Sequence, residues 1–135
     1  MAHRTIQPEG WGRPKGYANG VLARNGTLYV AGQVGWNENE VFQTDDFVGQ
    51  MEQALINIRT IVLSAGGDVS DVVRLTWYVT DAQDYLARQA EVGEVYRRIF
   101  GPNFPAMSLV VVKALIEEGA LLEIEATAVL DMDDG

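Results

Sequence analysis

The sequence has no cysteine and only one histidine, His3. Without cysteine the chain can form no disulfide, no zinc–thiolate site and no thiolate nucleophile. His3 lies close to the amino terminus, and we assign it no catalytic or metal-binding role. The serine and threonine side chains therefore lack a suitably placed imidazole base, which excludes a serine hydrolase. P-loop, dinucleotide-binding, H-E-x-x-H and G-x-S-x-G motifs are also missing from the sequence.

Positive charge is scarce as well. The chain has 10 Lys and Arg against 19 Asp and Glu, which gives a formal net charge of −9 at pH 7. The basic residues are scattered along the chain, and only Arg97 and Arg98 are adjacent. Because an acidic surface repels phosphate backbones, we expect no nucleic-acid partner.

Long hydrophobic runs are missing too. No apolar run approaches the roughly 20 residues that a helix needs to span a bilayer, so we expect no membrane partner. The first ten residues, MAHRTIQPEG, contain no apolar stretch of the secretory-signal type. Together these two absences predict a cytoplasmic protein.

The residues that are present fit one globular domain over 1–135. With 135 residues and 47% hydrophobic side chains, the chain can bury one core but not two. Glycine and proline punctuate residues 8–20, and we expect residues 1–15 to be an irregular N-terminal segment. The acidic ending DMDDG predicts a solvated tail over 131–135.

The first half of the chain predicts a hairpin followed by a helix. Asn25-Gly26 lies between the β-prone runs VLAR and TLYVAGQV, which is typical of a type I′ turn. Apolar side chains recur at helical spacing over 45–65 and form one stripe. We expect Thr44 or Asp45 to cap this helix and Gly66-Gly67 to end it.

The second half predicts three strands and one more helix. VVRLTWYV (72–79) is a strand, residues 84–100 form an amphipathic helix with Gly93 inside it, and MSLVVVKA and LLEIEATAVL are the last strands. The order is β-β-α-β-α-β-β, with a possible short strand near 39–43. This pattern predicts an α+β fold with two helices on one face of a single sheet. Val73, Leu75 and Trp77 give the other face an apolar surface, so we expect the chain to form oligomers.

Several segments together resemble the RidA/YjgF family of enamine/imine deaminases. They are GYANGV, LYVAGQVG, the long segment from Met51 to Asp81, FPAMS and LLEIEATAV, and the likeness runs from about residue 16 to residue 130. It implies a chorismate-mutase-like fold with a six-stranded mixed sheet. It also implies a homotrimer with a central barrel and active sites in clefts between subunits. The implied reaction hydrolyses small-molecule enamines or imines without a metal or an organic cofactor.

The resemblance assigns site residues one by one. The family tyrosine corresponds to Tyr17, which would orient the substrate, and the carboxylate that activates water corresponds to Glu125. Gly32 and Gln33 keep the family's turn. Backbone groups near Gly32 and Ala106 would bind polar atoms of the substrate.

The same comparison reveals four departures from the family pattern. Met107 stands where the signature arginine belongs, and Leu109, Ala31 and Gly93 replace other polar or small pocket residues. An arginine–carboxylate contact contributes about 1.5–3 kcal/mol, so the chain should bind small α-imino acids poorly. We therefore expect a larger or ring-derived substrate.

Further residues are candidates to line the same pocket or to bind an anion there. Trp36 is a candidate to line it, and Trp77 is a weaker one. Arg13 or Lys15 could supply a displaced anion anchor, although solvated loop charges are the commoner case.

Each assignment has a plainer alternative. Glu125 shares one strand face with Glu123 and Thr127, and such a face is commonly just solvated. Tyr17 could be an interface aromatic, the tryptophans could fill the core, and Met107 could simply pack. At the level of function, the alternative is a trimeric metabolite-binding or regulatory protein that has lost the reaction. Ribonuclease activity ranks lowest, because the chain is acidic and has no histidine pair.

Overall fold

Six strands form one mixed sheet in the computed structural model, which describes residues 2–132. The strands are β1 (Arg4–Ile6), β2 (Gly20–Leu22), β3 (Thr27–Val34), β4 (Val72–Val79), β5 (Ala106–Val111) and β6 (Leu122–Val129). Their order in the sheet is β1-β2-β3-β6-β4-β5, and only β4 and β5 run parallel. The prediction of a six-stranded mixed sheet is confirmed.

Within the described residues, three helices accompany the sheet. They are α1 (Phe47–Ser64), α2 (Ala82–Leu86) and α3 (Gln89–Phe100), and a short 3₁₀ helix (Val69–Asp71) precedes β4. α1 lies against β3 and β6, and α3 packs against α1. Within residues 2–132, no helix is long and apolar enough to cross a membrane.

The apolar stripe of α1 is buried as the sequence predicts, but its cap is a different residue. Asp46, rather than Thr44 or Asp45, has the extended cap conformation, and its carboxylate accepts a hydrogen bond from the Gly49 N–H at 3.1 Å. Gly66 follows the C-terminal cap of α1 and has a φ of +93°, which suits glycine. The Gly67 N–H closes the last turn on the Val62 carbonyl.

The second predicted helix is in fact two helices, α2 and α3. The break lies at Arg88, whose backbone leaves the helical region at φ −132° and ψ 33°. The Arg88 guanidinium contacts the Asp46 carboxylate at 2.6 Å and the Glu91 carboxylate at 2.8 Å. Arg88 therefore links the start of α1 to the start of α3, which a reading of helical periodicity alone does not reveal.

Three local expectations are corrected. The N-terminal segment is not wholly irregular, because Arg4–Ile6 pairs with β2 as an edge strand. Residues 39–43 form no strand, and only one isolated bridge joins Trp36 to Phe42. The hairpin turn is not type I′, since φ is positive at Gly26 but not at Asn25, whose side chain accepts a hydrogen bond from the Thr27 N–H. The predicted tail is described only as far as Met132.

The helix-free face of the sheet is less apolar than expected. A β-bulge near the start of β4 leaves Val73 exposed, whereas Leu75 and Trp77 turn towards the helices and are almost fully buried. Polar and charged groups such as Thr76, Tyr78 and Glu125 lie on the helix-free face. The expectation of an apolar surface on both sides of β4 is therefore wrong.

Candidate active site

A cleft at the end of β3 brings together four of the nine residues predicted for the site. We call it the Glu123 cleft; its volume is about 160 Å³ and its walls are Tyr17, Asn19, Gly32, Gln33, Val34, Trp36, Glu117 and Glu123. Four of these residues, namely Tyr17, Gly32, Gln33 and Trp36, were predicted from the sequence. Glu117 and Glu123 supply the carboxylates.

A β-bulge shapes this cleft. Between Val30 and Gln33, three steps along β3 match two steps along β6, so the backbone of β3 bends beside Glu123. A Cβ at position 32 would lie 2.4 Å from a Glu123 carboxylate oxygen. Only glycine lets the Glu123 side chain lie directly on the backbone of β3.

Buried amides hold the walls of the Glu123 cleft in place. The Gln33 Nε2 donates to the Ala31 carbonyl at 3.1 Å and to the Asn19 Oδ1 at 3.5 Å. From α1, the Asn57 Nδ2 donates to the carbonyls of Val34 at 3.3 Å and Trp36 at 2.8 Å. These contacts fix the path of the chain at the end of β3, where it would otherwise leave the sheet unsupported.

The electrostatics of the cleft suit a base. Partial burial, followed by the nearby charges of Glu125 and Glu117, raises the pKa of the Glu123 carboxyl above its usual value. Burial and the charges of Glu40, Glu117 and Glu123 likewise raise the pKa of the Tyr17 phenol. None of the eight lining residues is basic. Glu123 can thus accept a proton more readily than an exposed glutamate, while Tyr17 stays a neutral hydrogen-bond donor.

Glu125, the carboxylate predicted for catalysis, lies outside this cleft. Its carboxylate accepts a hydrogen bond from the Tyr78 hydroxyl, which faces it from β4. It lines a separate open hollow together with Arg74, Thr76 and Thr127. The structure therefore brings Glu123, and not Glu125, together with Tyr17.

A second cavity contains the other half of the predicted site. We call it the aromatic cavity; it has a volume of about 170 Å³ and is lined by Trp77, Tyr85, Gln89, Val92, Gly93, Tyr96, Arg97, Phe104, Pro105 and Met107. Met107 pairs with Leu75 in the sheet and Leu109 pairs with Trp77, so both lie on the face of the sheet that the helices cover. Ala106 is exposed at the start of β5.

The predicted site residues thus fall into two groups within one protomer. Tyr17, Gln33 and Trp36 belong to the Glu123 cleft, whereas Gly93 and Met107 belong to the aromatic cavity. The proposed alternative anchors Arg13 and Lys15 line neither cavity, and Arg13 instead borders a groove beside Tyr17. Trp77 lines the aromatic cavity but is almost completely buried.

Glu117, Asn19 and Arg97 also line these cavities, and none of them is predicted from the sequence. A weak signal existed for the buried amides: Gln50 and Asn57 are polar positions one heptad apart on the apolar face of α1, and both are buried. No such signal exists for Glu117 or Arg97, which are exposed side chains. Among residues 2–132, no group of three or more His, Cys, Asp or Glu side chains is arranged to hold a metal ion.

Comparisons with known proteins agree with this architecture. A family model described as "Endoribonuclease L-PSP" matches residues 12–130. The human 2-iminobutanoate/2-iminopropanoate deaminase is 34% identical over 114 residues, covering 84% of this chain and 79% of that protein. RidA from an Antarctic Psychrobacter bacterium is 31% identical with a TM-score of 0.80, and the match covers 94% of this chain and 99% of that chain.

Another solved structure carries a bound ligand. Escherichia coli TdcF, solved with bound serine, is 28% identical with a TM-score of 0.79, and the match covers 95% of this chain and 99% of that chain. The α+β fold implied by the sequence resemblance is thereby confirmed. On the extent of the family match and the identity to its members, the chain belongs to the Ribonuc_L-PSP family, which includes the RidA and YjgF proteins.

Proposed function

We propose that the protein is an enamine/imine deaminase that converts a C=N bond and water into a carbonyl compound and ammonia. The observation that carries the proposal is the Glu123 cleft, where a carboxylate with a raised pKa lies beside Tyr17 and against the backbone at Gly32. The names of relatives as 2-iminobutanoate/2-iminopropanoate deaminases support the same reaction class.

The chemistry needs few groups from the protein. An imine carbon is already electrophilic, so the rate depends on a positioned water and on proton transfer. Glu123 accepts a proton from the water as its oxygen bonds to the imine carbon. The proton passes from Glu123 to the nitrogen and gives a carbinolamine, which carries a hydroxyl and an amino group on one carbon. Glu123 then takes the hydroxyl proton and passes it to the amino nitrogen, so that the C–N bond breaks, the carbonyl forms and ammonia leaves. Tyr17 donates a hydrogen bond that orients the substrate.

Glu123 takes the role that the sequence analysis gave to Glu125. Two carboxylates on one strand face differ in their neighbours: the Glu125 carboxylate is engaged by the Tyr78 hydroxyl, whereas the Glu123 carboxylate is next to Gly32. A base must have a free lone pair beside the water that it activates. Glu123 meets that condition within the cleft, and Glu125 becomes a neighbour whose charge raises the Glu123 pKa.

The proposed substrate is larger or more ring-like than a small α-imino acid. Met107 occupies the position at which the family resemblance expects an arginine, and its neighbours in the aromatic cavity include Tyr96 and Phe104. A flat apolar body would pack against such rings.

A homotrimer with sites between subunits is part of the proposal. The Glu123 cleft and the aromatic cavity are separate within one protomer. A complete site would therefore form where the aromatic cavity of one copy lies next to the Glu123 cleft of another. Two exposed apolar side chains of the aromatic cavity, Phe104 and Met107, are suited to such an interface.

The test compares two glutamine variants. Rates of ketone release from 2-iminobutyrate and from a cyclic enamine are measured for the wild type, Glu123→Gln and Glu125→Gln. We expect Glu123→Gln to lose about 10²–10⁴-fold in kcat, the usual contribution of a general base, and Glu125→Gln to lose far less. Unchanged turnover in Glu123→Gln would remove the proposed mechanism.

A second candidate is a metabolite-binding protein without turnover. It is favoured by the structure of the relative TdcF with bound serine. Saturable binding of a small amino or imino acid, with no ammonia released from any enamine tested, would favour this candidate over the deaminase. Ribonuclease activity, which the family description names, finds little support here, because His3 is the single histidine and lies outside both cavities.

A further inference from the structure

One guanidinium in the aromatic cavity has no partner among residues 2–132. Arg97, one turn after Gly93 on α3, folds back along the helix, so that a Cβ at position 93 would lie 3.1 Å from its Nη1. The Arg97 side chain lines the cavity together with Met107. Glycine at position 93 therefore gives the guanidinium room to lie at the cavity wall.

The other arginines near α3 are engaged. Arg88 contacts Asp46 and Glu91, and Arg98 contacts Glu52 at 3.3 Å. Arg97 forms no ion pair or side-chain hydrogen bond with any residue between 2 and 132. Arg97 therefore offers five N–H donors at the cavity without an acceptor from this part of the chain.

A second unpaired donor belongs to the same cavity. Trp77 is buried and lines the aromatic cavity, and its Nε1–H has no hydrogen-bond partner among the described residues. A buried donor without an acceptor is destabilising, and such groups are rare in folded proteins. No carboxylate of the chain is among the lining residues. The Arg97 guanidinium and the lack of an acidic lining residue make the cavity suitable for an anion.

The remaining walls are aromatic. Tyr85 meets Trp77 edge to face at a centroid distance of 6.1 Å, and Phe104 stacks on Tyr96 at 5.7 Å. A volume of about 170 Å³ accommodates a ring with a short substituent. The ligand that fits this surface is therefore flat and apolar over most of its body, with one negative group at its end.

We propose that Arg97 determines specificity by binding the carboxylate of a substrate whose body is planar and apolar. The planar fork of a guanidinium matches a carboxylate with two parallel hydrogen bonds. The proposal rests on the proposed deaminase function for the claim that the bound carboxylate is a substrate, but the binding itself does not require turnover. It also assigns Gly93 a role, which is to leave space for the Arg97 guanidinium.

The test measures binding of benzoate and of its neutral isostere benzamide to the full chain. Binding is followed by NMR at the Trp77 indole N–H, which reports on this cavity. The variants are Arg97→Gln and the matched control Arg98→Gln, since Arg98 is the next residue on the same helix and lies outside the cavity. Both side chains are exposed, so the fold should tolerate both changes, and thermal unfolding of each variant checks this.

We expect benzoate to bind the wild type and Arg98→Gln about tenfold more tightly than benzamide, as one partly exposed charge-assisted contact allows. Arg97→Gln should lose this preference, and Arg97→Lys should restore part of it. The proposal is overturned if Arg97→Gln binds benzoate like the wild type, if Arg98→Gln loses as much, or if the wild type binds neither compound.

Turnover separates this inference from the proposed function. Glu123→Gln should lower deamination about 10²–10⁴-fold, whereas Arg98→Gln should leave both deamination and benzoate binding unchanged. If the wild type shows Arg97-dependent binding of benzoate and releases no ammonia from enamines, the deaminase proposal fails while the anion site stands. If turnover is normal and indifferent to Arg97→Gln, the deaminase proposal stands and the assignment of Arg97 is wrong.

Discussion

At the scale of single residues, the charge near Glu123 should set the pH range of the reaction. The pKa of the Glu123 carboxyl is raised first by burial and then by the charges of Glu125 and Glu117. A base works only when it is deprotonated, so activity should fall as the pH drops through this raised pKa. The fall in kcat on the acidic side of the pH–rate profile should therefore lie at a higher pH than it would for an exposed glutamate.

Removing one of these negative charges should move the acidic side of the pH–rate profile to lower pH. Glu117→Gln takes away a negative charge that favours the protonated form of Glu123, so the pKa should fall and the acidic side of the profile should move with it. The measurement is kcat as a function of pH. Glu118→Gln is the control, because Glu118 is exposed and does not line the cleft. Equal shifts in both variants would mean that net charge, and not the local charge at Glu117, is responsible.

At the scale of elements, Asp46 connects two helices. Its carboxylate caps α1 through the Gly49 N–H and contacts Arg88 at the start of α3, and the pKa of the Asp46 carboxyl is lowered chiefly by the hydrogen bond from Arg88. The arginine contact is exposed and contributes little by itself, whereas a cap contributes about 1 kcal/mol. Asp46 therefore stabilises the start of α1 and its contact with the start of α3, although it lies in a loop.

Asp46→Ala should lower the free energy of unfolding by about 1 kcal/mol, measured by urea denaturation. Asp45→Ala should change it by less than about 0.5 kcal/mol, because a surface substitution away from a cap has little effect. Asp45 is an exposed neighbour with no hydrogen bond or ion pair to the residues described. Equal losses in both variants would contradict the cap seen in the structure.

The element scale also explains which strands the sequence could predict. β3 and β4 match their predicted ranges, because long runs of β-branched and aromatic residues define them. β1 has three residues, only one of which is buried, so it carries no periodic signal of its own. It becomes a strand because β2 offers an unpaired edge. The split between α2 and α3 has the same origin, since tertiary contacts at Arg88 decide it.

At the scale of the whole molecule, self-association is the open prediction. Val110 is exposed, lies beside Tyr78 in the sheet and faces away from the helices. In an oligomer built on this face, Val110→Asp would leave an unpaired buried charge, which costs about 3–5 kcal/mol. We expect the dissociation constant to rise about a hundredfold or more.

Sedimentation at micromolar concentration measures this effect. Leu63→Asp is the control, because Leu63 is more exposed than Val110 but lies on α1, on the other side of the sheet. It should sediment like the wild type. A wild-type monomer at these concentrations, or dissociation of both variants alike, would contradict an interface on the helix-free face.

The sequence by itself determined the fold class, the family resemblance and most of the cleft, because these depend on local patterns. Turn residues and apolar periodicity are readable along the chain. The family resemblance implied site roles for Tyr17, Gly32 and Gln33, and these residues line one cleft with Trp36. Short motifs could not choose between Glu123 and Glu125. Alternation along a strand places both carboxylates on one face.

Only the tertiary structure distinguished these carboxylates and found Arg97. The bulge in β3 brings Gly32 against Glu123, while Tyr78 on a strand distant in sequence engages Glu125. Arg97 becomes a candidate ligand because α3 packs beside the start of β5, where Met107 lies. Such contacts join residues far apart in the chain, and they depend on how strands and helices pack, which no local pattern records.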